Sequence, residues 1–188
     1  MSDITTLAVQ KATKPKIEDV IPCYVGVEAL KTALDFIAYL RENKIKPVWT
    51  LHNAWKGTYK GKVIYYIRLP LYRGHFRSPK RSSDADWMRS WVFTPYLHNI
   101  NRYEDQIMEE GLQDLVWDNL HYCKPCAHRK CLPECDKVIL GKELKNLCRG
   151  DLYGGCAVWF VSPDETTING IKRLLELEKK ARDENVVK

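Results

Sequence analysis

The stretch "VWTLHNAWKGTYKGKVIYYIRLPLY", residues 48–72, decides the fold. It is rich in aromatic and β-branched residues, which favour extended backbone, and "YKGK" supplies a glycine turn between two short strand-like runs, so a β-hairpin is expected. Side chains alternate between the two faces of a strand, so the aromatics of this hairpin can form core while its cations meet solvent.

Upstream of the hairpin, "EALKTALDFIAYLREN" begins at Glu28 and places Leu30, Ala33, Leu34, Ile37 and Leu40 on one side at helical spacing. Asn43 suits the C-terminal end of that helix. Residues 1–22 are mixed, with Pro15 and Pro22 bounding a polar stretch, and are expected to form a flexible N-terminal arm.

Downstream, "RGHFRSPKRSSDAD" reads as a long exposed loop, and "WMRSWVFTPYL" as a further strand candidate. A second helix is expected from Asn101 as N-cap with Glu104 three residues on, burying Ile107, Met108, Gly111, Leu112, Leu115 and Val116. "KVILGKELKNLC" reads as a short strand and turn, and "CAVWFV", bounded by Gly154 and Gly155, as an apolar strand. In "SPDETTINGIKRLLELEKKARDE", Ser162 can cap, Pro163 suits the first helical position and Glu165 completes a capping box; Ile168, Ile171, Leu174 and Leu175 line the inner face. The expected fold is α+β: an antiparallel sheet with about three helices packed on it, in one domain over residues 23–188. A cysteine-rich, metal-binding insertion occupies residues 121–148 of it.

That insertion contains "CKPCAHRKCLPEC", in which Cys123, Cys126, Cys131 and Cys135 follow the pattern C-x2-C-x4-C-x3-C. Zn²⁺ takes four tetrahedral ligands, and a two-residue gap lets two thiolates reach one ion from a single tight turn. His121, His128 and Cys148 are possible substitute ligands. An iron–sulfur cluster is the rival cofactor, because thiolates alone satisfy it as well. Cys23 and Cys156 are read as small buried hydrophobes.

Charge is unevenly distributed. The formal net charge is +6, yet between Asn43 and Ser83 there is no Asp or Glu and there are ten Lys or Arg. Within this segment Lys56, Lys60, Lys62, Arg68, Arg73, Arg77, Lys80 and Arg81 interleave with Trp49, Trp55, Tyr59, Tyr65, Tyr66, Tyr72 and Phe76. Cations neutralise phosphates and aromatic faces stack on unpaired bases, so nucleic acid or another polyanion is the expected partner.

Apolar residues at 45% and charged residues at 29% fit a globular protein, and no apolar run is long enough to cross a bilayer. The N-terminus lacks the pattern of a secretory signal, which leads to an expectation of cytoplasmic residence, where clustered cysteines are metal ligands or redox thiols more often than disulfides. The five histidines are scattered, and no H-E-x-x-H, G-x-S-x-G or phosphate-cradling glycine loop is present. His52 and His98, beside apolar or aromatic residues, are read as structural.

The cysteine spacing resembles the zinc knuckles of nucleocapsid-type proteins, C-x2-C-x4-H-x4-C, with Cys131 at the histidine position and a last gap one residue shorter. The knuckle resemblance implies single-stranded nucleic-acid binding; the knuckle's usual glycines and stacking aromatic are replaced here by Lys124, Ala127 and Arg129. The blocks "AWKGTYKGKVIYYIRL", "VWDNLHYCKPC", "VILGKELKNLC" and "SPDETTINGIKRLLE" are similar to small uncharacterised bacterial proteins with the same order of aromatic hairpin, cysteine loop and C-terminal helix, a likeness that implies no activity. The expected function is that of a non-enzymatic, metal-stabilised binding protein, a regulator or assembly subunit. The alternatives are a small-molecule sensor with an aromatic-lined pocket and an iron–sulfur or thiol redox protein.

Overall fold

The computed structural model describes residues 3–70, 89–120, 137–144 and 158–184. Strands β2 (Ala54–Tyr59) and β3 (Lys62–Arg68) form the expected hairpin. Lys60 and Gly61 join them with φ angles of 49° and 75°, the left-handed conformation that a two-residue loop needs to match strand twist. β1 (Val48–Leu51) pairs antiparallel with β2, and the five-stranded sheet runs β1-β2-β3-β4-β7, with β4 (Val92–Pro95) and β7 (Phe160–Val161). A separate two-stranded sheet joins β5 (Lys137–Ile139) to β6 (Lys142–Leu144).

The described residues hold six α-helices, twice the expected number: α1 (Leu7–Thr13), α2 (Ile17–Val20), α3 (Val27–Glu42), α4 (Glu104–Glu109), α5 (Gln113–Asp118) and α6 (Glu165–Glu184). The chain divides into two compact units, one of Met1–Thr94 with Phe160–Glu165, the other of Pro95–Trp159 with Thr166–Lys188.

In the first unit, the register explains which hairpin residues are buried. Gly57 pairs with Tyr65, but Thr58 pairs with Val63, so β3 carries Ile64 as an extra residue. A bulge of this kind lets two successive side chains point the same way, and Ile64 and Tyr65 are both fully buried. Trp55, Gly57, Ile64, Tyr65 and Ile67 form the inner face. Gly57 is required there, because an added Cβ would overlap the Tyr65 ring. Phe93 of β4 meets Tyr65 with centroids 5.0 Å apart and meets Phe36 of α3 edge-on at 5.0 Å, while Phe36 also contacts Trp91. Ala33, Phe36, Ile37 and Leu40 are the buried stripe of α3; Phe36 was not among the residues expected in it, and Leu30 and Leu34 are half-buried.

Residues 3–22 are not loosely attached. Ile17, Val20 and Ile21 have no exposed surface, and neither does Gln10 of α1. The Gln10 amide nitrogen donates to Asn53 Oδ1 and to the Ile4 carbonyl, while its oxygen accepts from the Asn53 backbone N–H and from Trp49 Nε1. Trp55 Nε1 donates to the Pro15 carbonyl at 2.9 Å, and His52 Nε2 lies 2.8 Å from the Thr5 carbonyl. Arg41 of α3 grips Glu18 of α2 through two hydrogen bonds. A polar sequence is held because each buried polar atom meets a partner. Cys23, expected to be buried, is exposed at the end of a 3-10 turn over Ile21–Cys23.

In the second unit, the single helix expected from Asn101 is replaced by a 3-10 turn over Ile100–Arg102 followed by α4 and α5. Gly111, at φ 67°, separates the two, since a left-handed residue cannot continue a right-handed helix. Ile107 and Val116 are buried as expected, whereas Met108 is 45% exposed. α6 begins at Glu165, not at Pro163: Ser162 has φ 41°, and in the first unit its hydroxyl accepts from the Trp91 N–H. Ile168, Ile171, Leu174 and Leu175 are buried on α6 as expected.

Glu178 and Arg182 continue that buried stripe. The Glu178 carboxylate accepts from Asn99 N–H, Asn99 Nδ2, Tyr103 O–H and Arg182 Nε, and Arg182 also donates to the Tyr96 carbonyl. A buried ion pair satisfied on all sides fixes one geometry between α6 and the 96–103 segment. Gly170 lies against Leu115 of α5, and the β5–β6 turn, Leu140 and Gly141, is held to α5 by a hydrogen bond from Trp117 Nε1 to the Ile139 carbonyl.

Candidate nucleic-acid interface

On the β1–β3 sheet, directly paired residues share a face. Val48 pairs with Lys56 and Lys56 with Tyr66, forming one row; Leu51 pairs with Ala54 and Ala54 with Arg68, forming a second. Thr58 and Val63 extend this outer face towards the turn. The inner face carries Trp49, Trp55, Tyr65 and Ile67 instead; Trp55, Tyr65 and Ile67 are fully buried there and Trp49 is half-buried. Tyr66 is the aromatic residue on the outer face of β1–β3, half-buried, with the Arg68 guanidinium 4.9 Å from its ring centroid.

Of the eight expected interface cations, Lys56 and Arg68 fall on this face. Lys60 and Lys62 are exposed at the turn end, where the Lys60 ammonium lies 6.0 Å from the centre of the Tyr59 ring. Arg73, Arg77, Lys80 and Arg81 lie outside the described residues, as do Tyr72 and Phe76. So do Cys123, Cys126, Cys131, Cys135, His121, His128, Cys148 and Cys156. Among the described residues no three His, Cys, Asp or Glu side chains are grouped to hold a metal ion, and no helix is long and apolar enough to cross a membrane.

Val48 and Leu51 were not among the expected interface residues, yet they are 50% and 54% exposed beside the cations. Pro47 immediately before β1 was the available signal, because proline sits at strand starts and sheet edges, where one side of the strand has no ladder partner and neighbouring side chains meet water more readily. The hydroxyl of Tyr65, by contrast, is withdrawn from any surface chemistry: burial pushes its pKa far up, and it donates to the Ile45 carbonyl. The outer face offers two cations, one phenol ring and a short apolar edge, with no acid anywhere in the segment that carries it. This set can attract an anion and stack on a flat group, and it contains no acid–base pair.

Comparison with protein-family models, with curated proteins and with solved structures finds no match to the chain.

Proposed function

We propose that the chain is a non-enzymatic, metal-stabilised binding protein that contacts nucleic acid through the outer face and turn of the β2–β3 hairpin. The carrying observation is the register that sets Lys56 and Arg68 around Tyr66 on one face while Trp55 and Tyr65 go to the other. An ordinary solvated segment mixes charges of both signs, and one without an acid from residue 43 to 83 favours a polyanion.

The metal part of the proposal is supported by two pairings in the second unit. Leu120 bridges Val158, and Lys137 pairs with Leu144. Cys123 follows Leu120 closely in sequence, Cys135 precedes Lys137, Cys148 follows Leu144 and Cys156 precedes Val158. The spacing alone lets Cys123, Cys126, Cys131 and Cys135, with Cys148 or a histidine as substitute, share one ion, and the two pairings fix where the segments that carry them leave and rejoin the described residues. Zinc is the ion that such a thiolate set takes most simply; an iron–sulfur cluster is the alternative.

Two measurements test the proposal. Binding of a labelled mixed-sequence oligonucleotide is expected to weaken steeply as salt rises, and to be lost when Lys56, Lys60, Lys62 and Arg68 are neutralised together. Elemental analysis is expected to find one zinc per chain, whose chelation unfolds the protein. Absent or salt-independent binding refutes the nucleic-acid role, and metal-free folded protein refutes the metal.

A further inference from the structure

We infer that the nucleic acid taken by the outer face is single-stranded, with an unpaired base resting on the Tyr66 and Arg68 pair. The inference rests on the proposed function and narrows it. In a duplex the base faces are stacked inside and only phosphates and groove edges meet a flat protein surface. Such a partner uses cations and gains little from a half-buried ring or from apolar side chains.

The outer face is not a plain cationic field. Its first row runs Val48, Lys56, Tyr66 across three strands, a span of about 10 Å at the usual strand spacing. Its second row runs Leu51, Ala54, Arg68, of which Ala54 is buried. Val48 and Leu51 are each about half exposed, so water meets apolar surface within one strand of Lys56. Pressing phosphates onto that surface desolvates charge without return, whereas a splayed base or sugar covers it favourably. The guanidinium of Arg68, 4.9 Å from the centre of the Tyr66 ring, offers a base its outward plane while the ring backs it, and Lys56, directly across the strand pair from Tyr66, is placed for the neighbouring phosphate.

The experiment measures fluorescence anisotropy of a labelled 20-nucleotide mixed-sequence strand, alone and annealed to its complement, at several salt concentrations. The proteins are the full chain and its Tyr66→Ala, Tyr66→Phe and Lys56→Gln variants, each checked for folding by circular dichroism. The single strand is expected to bind the full chain at least about tenfold more tightly than the duplex. Tyr66→Ala is expected to lose about tenfold on the single strand with the salt slope unchanged, Tyr66→Phe to retain affinity, and Lys56→Gln to reduce the slope by about 0.7. A duplex that binds as tightly as the single strand, or a folded Tyr66→Ala protein with undiminished single-strand affinity, overturns this inference and leaves the proposed function standing. Failure of both nucleic acids to bind at low salt overturns the two together.

Discussion

The inner and outer faces of β1–β3 share one backbone and differ in how tightly each residue is determined by its neighbours. On the inner face Tyr65 lies across Gly57, touches Phe93 and donates to the Ile45 carbonyl, while Trp55 packs fully buried and donates to the Pro15 carbonyl. Every one of those residues answers to a geometric constraint. On the outer face Lys56, Tyr66 and Arg68 are each only half-buried, with the Arg68 guanidinium set against the Tyr66 ring. The difference teaches that the aromatic richness of a hairpin says little about binding until its register is known. In these three strands the inner face takes most of the large aromatics and the outer face retains one of them, Tyr66, among the cations.

The comparison breaks most severely at Gly57. Gly57→Val inserts a branched side chain where even a Cβ would overlap the Tyr65 ring, and Tyr65 has no space to yield because Phe93 and Phe36 close the cluster behind it. Overpacking at such a site costs typically about 1–3 kcal/mol, and the upper end is expected here. For a chain of this size that lowers the thermal midpoint by roughly 6–12 °C. A midpoint within a degree of the parent would show that the inner face is less closely determined than described.

The next largest effect is expected at Gln10. Its side chain is fully buried against the N-terminal end of β2, and truncation to alanine leaves Trp49 Nε1, the Asn53 N–H and Asn53 Oδ1 each without the partner described for it. Unsatisfied buried groups cost about 1–3 kcal/mol, so Gln10→Ala is expected to lose roughly 2 kcal/mol in a urea titration. A substitution that costs nothing would mean that residues 3–22 do hang free, as their polar sequence implies.

How far the fold was legible follows from cases such as this. The Lys60-Gly61 turn, the stripes of α3 and α6 and the α+β class were readable because they depend on local chemistry: a glycine able to take positive φ, and apolar residues at helical spacing. The packing of residues 3–22 was not, because Gln10 and Asn53 look like surface residues until their mutual hydrogen bonds bury them. The β3 bulge was equally hidden: nothing local to Ile64 says that it lacks a partner, and without that knowledge strict alternation along β3 misassigns Ile64 and Val63. Ser162 failed as a cap for a related reason, since its hydroxyl is claimed by the Trp91 N–H, seventy-one positions away. At the candidate site, the cations could be listed from the sequence, whereas which of them share a face with Tyr66 required the register.

A smaller effect, and one with a pH signature, is expected at the Glu18–Arg41 pair that ties α2 to α3. Burial raises the Glu18 pKa, but the Arg41 guanidinium outweighs it and holds the carboxyl below its ordinary value. A depressed folded pKa means stability that is present above the unfolded value and is lost as pH falls through the folded one. Glu18→Gln is therefore expected to be modestly less stable than the parent at pH 7 and to converge on it under acid. Parallel denaturation midpoints for the two proteins from pH 7 down through the carboxylate range would sink the assignment.

The smallest stability effect is expected on the outer face itself, and that is where the two faces separate most clearly. Lys56 is half-buried beside Val48 and Tyr66, and among the described residues no buried polar partner depends on it. Lys56→Gln keeps the length of the stem and removes the charge, so folding is expected to change by no more than about 0.5 kcal/mol. Affinity for a polyanion is expected to fall in the same protein, more at low salt than at high, because each lost phosphate contact removes one released counterion. If instead the substitution unfolds the chain as Gly57→Val does, Lys56 belongs to the core economy of the sheet. In that case the division of β1–β3 into a packing face and a binding face has to be abandoned.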